Sequence, residues 1–115
     1  VSAAKADHDE TATAFRDAVN MAPAELEHWL ESDDSRAVGW PPDHGSSESV
    51  GHHSGRRIVE IKRKAKADLT NDDYAHMRKV VGYVHRHLAQ RPNGDVKETR
   101  WRYSLMNWGH DPLKD

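Results

Sequence analysis

The sequence predicts an all-α domain of about five helices. A central antiparallel helical hairpin has a Trp-rich C-terminal helix packed across it. Three observations predict this. From Ser54 to Leu88 the apolar residues form two stripes at helical spacing: Ile58, Ile61, Ala65 and Leu69, then Tyr74, Met77, Val81, Val84 and Leu88. Between them Leu69-Thr-Asn-Asp-Asp73 reads as a capped turn, with Thr70 as cap and acidic residues in the first turn of the next helix. The chain has 115 residues and four Trp, which suits one domain with a modest core.

The elements follow in order. Residues 1–8 read as a flexible N-terminus and 9–113 as the helical domain. Ala12, Phe15 and Val19 recur at helical spacing, with Asp7 or Asp9 as cap. Met21-Ala-Pro23 breaks this helix and starts a second, with Pro23 at its first position and Leu26, Trp29 and Leu30 on its apolar face. Residues 32–53 read as a Gly/Pro/Ser-rich loop, held to the core by Val38, Trp40 and Val50. The third helix begins at Glu48 or Ser54 and runs to Ala67; the fourth runs from Asn71 to Gln90 or Arg91. Asp95 and Glu98 resemble a capping box for a fifth helix. Its residues are apolar on two sides, as expected of a sandwiched helix, and the alternation Thr99, Trp101, Tyr103, Leu105 also fits a short strand.

Composition removes several classes. Cysteine is absent, which excludes disulfides and thiolate metal sites and is compatible with a reducing cytoplasm. No apolar run approaches the ~20 residues that cross a bilayer, so no membrane partner is expected. The stretch Val1 to Glu10 is polar and acidic, unlike a secretory leader. Net charge is only −2. The halves differ sharply: residues 1–55 hold three basic and eleven acidic residues, and 56–115 hold fourteen basic and eight acidic. Such a split fits an anionic partner for one half, pairing between the halves, or simply a pair of solvated faces.

The cations carry the main functional expectation. From Arg56 to Arg102 there are thirteen Lys/Arg against six acidic residues. The expected phosphate-contacting set is Arg56, Arg57, Arg63, Lys64, Lys66, Arg78, Lys79, Arg86, Arg100 and Arg102. Arg100 and Arg102 alternate with Trp101 and Tyr103, which would add stacking on a base unless those rings belong to the core. The third and fourth helices fit either a helix-turn-helix or a plain hairpin. On the fourth, Ala75, Gly82 and Ala89 share one side, which suits either close helix packing or a flat phosphate-binding surface.

Nine His raise a metal question. His85 and His87 point apart on a helix, and no His-Glu-x-x-His occurs, so His44, His52 and Asp111 would meet only through the tertiary fold. No Gly-rich phosphate loop and no Gly-x-Ser-x-Gly elbow occurs either. Asp33-Asp34 and Asp72-Asp73 sit at loop or helix-cap positions, which suits capping better than general acid catalysis. No enzyme activity, cofactor or metal is therefore expected.

Five segments resemble the family catalogued as domain of unknown function 3140. They are Met21-Ala-Pro-Ala-Glu-Leu-Glu-His-Trp-Leu30, Glu48-Ser-Val-Gly-His-His-Ser-Gly-Arg-Arg-Ile-Val-Glu-Ile61, Ala67-Asp-Leu-Thr70, His76-Met-Arg-Lys-Val-Val-Gly-Tyr-Val-His-Arg-His-Leu-Ala-Gln-Arg-Pro92 and Thr99-Arg-Trp-Arg-Tyr-Ser-Leu-Met-Asn-Trp-Gly-His-Asp-Pro112. Members often carry the label DNA-binding protein, and the family brings no established catalytic residues. Members often have Ser or Thr where Ala22 stands, a difference that bears on helix capping. The expectation is a cytoplasmic, nucleoid-associated or stress-related protein that binds double-stranded DNA with weak sequence preference. The other reading is an interaction module or homodimer, with the Ala75, Gly82, Ala89 stripe and the fifth helix as its seam.

Overall fold

The computed structural model describes residues 2–38 and 50–114, with side chains from 7 to 38 and from 51 to 114. These residues form six α-helices and one 3-10 turn, with no strand among them. The short-strand alternative at Thr99–Leu105 is therefore replaced by helix.

Helix α1 is Ser2–Ala18. It starts well before Asp7 and Asp9, so neither caps it. Phe15, Ala18 and the following Val19 are buried, and His8 stacks on Tyr74 at 3.9 Å. The carbonyls at its C-terminal end are met by cations and rings from far away. Lys62 Nζ approaches the carbonyls of Val19 and Met21 at 3.4 Å, and His110 Nδ1 lies 2.7 Å from that of Ala18. Asn20 fixes the same corner, donating to the Asp111 carbonyl at 3.0 Å and accepting from its N–H at 2.8 Å.

Helix α2 is Pro23–Leu30, with proline in its first turn as expected. Ala22 offers no side-chain acceptor, but Glu25 reaches back to the Ala22 N–H at 3.2 Å. Leu26 and Leu30 face the core. Part of the expected loop is a short helix, α3, Asp33–Ala37. Ser32 caps it by accepting from the Ser35 N–H at 3.1 Å. Val38 is buried as expected; Trp40, the Val50 side chain and His44 lie outside the described residues.

Helix α4 is Val50–Arg63, shorter at its C-terminal end than the expected Ala67. A 3-10 turn, Lys66–Asp68, follows. Helix α5 is Asn71–Leu88. Thr70 accepts from the Asp73 N–H at 3.1 Å, and Asp73 returns the bond to the Thr70 N–H at 3.0 Å, a reciprocal cap. Helix α6 is Arg100–Asn107, not a helix opened by Asp95. Asp95 instead accepts from the Lys97 N–H at 2.9 Å in a turn, and Thr99 caps the helix. Gly109, at φ 82°, ends it: its N–H bonds to Met106 and that of His110 to Leu105, a Schellman motif.

The packing is more interleaved than a single hairpin. α1 lies along α5, α2 lies along α4, and α6 touches α2, α3, α4 and α5. α6 is thus sandwiched, as its two apolar sides imply. Its approach to α4 is close: a Cβ on Gly55 would sit 2.5 Å from the Asn107 carbonyl oxygen. Asn107 is fully buried, and its Oδ1 accepts from Trp29 Nε1 at 2.8 Å and from the Ser35 hydroxyl. Its Nδ2 donates to the Ser35 carbonyl at 3.0 Å. One amide therefore joins α6 to α2 and α3.

Candidate nucleic-acid interface

The ten cations expected to contact phosphate do not form one open surface. Five are held by carboxylates. Arg57 and Lys64 both reach Asp73, at 3.3 and 2.8 Å. Asp73 is 2% exposed, and Lys64, the Thr70 N–H and Arg57 hold its carboxyl far below the usual range. Arg63 pairs with Glu27 at 2.9 Å and Lys66 with Asp9 at 2.8 Å. Arg102 clamps Asp111 with two bonds of 3.1 Å and donates to the Lys97 carbonyl. Arg56 is exposed on α4 and already engaged in a contact. The acidic first half supplies Glu27 and Asp9, and Glu25 for Lys114, while Asp73 and Asp111 come from the basic half itself.

The other four differ. Arg78, Lys79, Arg86 and Arg100 are exposed and have no ion-pair partner among the described residues. Three of them lie on α5. At 100° per residue, Arg78, Lys79, His85 and Arg86 share one arc of about 120° with Ala75, Gly82 and Ala89. Ala75 and Ala89 are exposed, so no helix among the described residues covers that arc. Arg86 crosses it: its Nη1 lies 3.0 Å from where a Cβ on Gly82 would be. A second helix seated on the stripe would have to displace that guanidinium. Arg78 borders a shallow groove against α1 that also holds Asp7 and Glu10, so its field is partly offset. Arg100 stands apart, at the start of α6.

Of the two readings open for Trp101 and Tyr103, stacking on a base or membership of the core, the structure fits the second: Trp101 is 8% exposed, and Tyr103 packs on Trp29 at 5.4 Å. The other rings make a row between α5 and α6. His76 lies 6.3 Å from Trp108, Trp108 is 4.2 Å from Tyr83, Tyr83 is 5.1 Å from His87, and His87 is 6.2 Å from Trp101. Neighbouring planes are within 14° of parallel. Arg91 lies over Trp101 at 5.5 Å. The sequence signal was present, since His76, Tyr83 and His87 share one side of α5, and Trp101 and Trp108 stand seven apart, on α6 and at its C-terminal cap.

Burial sets the protonation of this row. Desolvation, helped by Arg57 and Lys79, pushes His76 from an ordinary 6.5 down to about 4. Burial likewise lowers His87 and raises Tyr83. Ser54 Oγ lies 3.0 Å from His76 Nε2, a spacing that would suit a nucleophile and base. Ser54 is only 2% exposed, so the pair orients the imidazole within the core. Among the described residues no three His, Asp or Glu side chains converge as a metal set. His52 Nε2 is taken by the Leu30 carbonyl at 2.7 Å.

The fold and this surface define a small all-helical protein with a buried polar core joint and one cationic helix face. The chain belongs to the family described as protein of unknown function (DUF3140), whose model matches residues 14–106. No curated protein and no solved structure matches it. No helix among the described residues is long and apolar enough to cross a membrane.

Proposed function

We propose that this chain binds DNA through phosphate contacts, without catalysis and with little sequence preference. The contact surface is the solvent face of α5. One observation carries the reading: Arg78, Lys79 and Arg86 share one exposed face, and no carboxylate among the described residues is bound to any of them. The small residues between them let a phosphate backbone come close and offer no hydrogen bonds to base edges, which is why sequence preference is weak. Such binding suits a nucleoid-associated or stress-related role.

The surface is smaller than ten cations would make it. With about three or four phosphates neutralised, affinity is modest, and its logarithm falls with the logarithm of salt at a slope of about −3. A fluorescence anisotropy titration of random duplex DNA across salt concentrations tests this. The variant Arg78→Ala/Lys79→Ala/Arg86→Ala should bind far more weakly, with a nearly flat salt response. Absence of binding at low salt, or an unchanged slope in the variant, rules the proposal out. A dimer in sedimentation that persists in this variant, with no DNA binding, would favour the interaction-module reading.

A further inference from the structure

The ring row between α5 and α6 bears on which form of nucleic acid the α5 cations suit. Proteins that hold single strands combine a cationic track with open aromatic faces on which bases stack. Here Lys79 and Arg86 lie beside Tyr83 on the same helix, an arrangement that from sequence alone resembles such a platform. The ring faces are already used. Trp108 stacks with both His76 and Tyr83, Tyr83 with both Trp108 and His87, and His87 with both Tyr83 and Trp101. Trp101 and Trp108 are buried as well. Inserting a base would mean parting rings that lie 4.2 to 6.3 Å apart and opening the seam between two helices.

We infer that the α5 face takes duplex in preference to single-stranded nucleic acid. The inference rests on the phosphate-binding reading above. With stacking denied, affinity comes from counterion release alone. Each contact then contributes a salt slope of about −0.9 on a duplex but about −0.7 on a single strand. Over three contacts this amounts to about sixfold tighter duplex binding at about 50 mM salt.

The test is fluorescence anisotropy with the full chain, using a labelled duplex of mixed sequence and each of its separated strands at low salt. The three-cation variant is run alongside, with circular dichroism to confirm that its exposed substitutions leave the fold intact. Duplex binding several-fold tighter than either strand, lost in the variant, supports the inference. Equal or tighter binding of a strand, together with quenched tryptophan emission, overturns it and leaves the phosphate reading standing. Failure of both forms to bind, or undiminished duplex binding by the variant, overturns the reading beneath it as well.

Discussion

Asn107 gives the sharpest test of how this fold is held. Its side chain is fully buried and serves three partners: Trp29 Nε1, the Ser35 hydroxyl and the Ser35 carbonyl. Asn107→Ala removes all three bonds. Ser35 is fully buried, so its hydroxyl and carbonyl cannot turn to water. Each such loss costs about 1–3 kcal/mol. The small void left by the amide adds about 1 kcal/mol. Trp29 is half-buried and can rehydrate, so it adds little. The sum is about 3–7 kcal/mol, a large share of the ~5–15 kcal/mol that holds a domain of this size. Urea unfolding followed by tryptophan emission measures it. Ser35→Ala should cost about 1–2 kcal/mol, because the bond from Trp29 to Asn107 survives. The double variant should then cost less than the two single losses added together, with a coupling of at least about 1 kcal/mol. An Asn107→Ala protein within about 1 kcal/mol of the parent would refute the idea that this amide joins the helices.

Two further outcomes are expected. His76 resists protonation in the fold down to about pH 4, while the unfolded chain takes its proton near 6.5. Stability therefore falls as pH drops from about 6.5 to 4 and is restored as pH rises. Solvent at the half-buried ring reduces the effect to about 1–2 kcal/mol. His76→Phe should remove that part of the acid sensitivity between pH 7 and 5 in urea melts, and an identical loss in both proteins would count against it. Gly55→Ala would push a methyl to 2.5 Å from a backbone oxygen of α6 and 2.7 Å from Leu30. It should destabilise by about 1–3 kcal/mol or more, read as a lower thermal midpoint, and an unchanged midpoint would show that the two helices can part cheaply.

The helices that the sequence made legible are those with a period and a punctuation mark. Pro23 opened α2, Thr70 with Asp73 opened α5, and the apolar stripes of α4 and α5 place Ile58, Ile61, Met77 and Val84 in the core. α3 was missed because it is short and written in Asp and Ser, which also write loops. Asn107 was missed because a lone polar residue whose partners lie 72 and 78 positions away leaves no periodic trace. The cations show the same limit in the site. A count of Lys and Arg reveals charge but not company, and Glu27, Asp9 and Asp111 reach their partners only through the tertiary fold. Asp73 was legible as a cap, yet it also answers two cations on or just beyond α4, a role no local pattern encodes.

Residues 109–111 work as a latch on the end of α1. Asn20 and Asp111 grip each other across 91 positions, and the Gly109 carbonyl receives the Met21 N–H. The family match stops at residue 106, before any of this. A truncation drawn at that boundary would cut Asn107 as well as the latch, leaving the corner between α1 and α2 untied. During synthesis that corner must wait for residues 109–111 to emerge, so α1 and α2 are tied together only after α6 has been made.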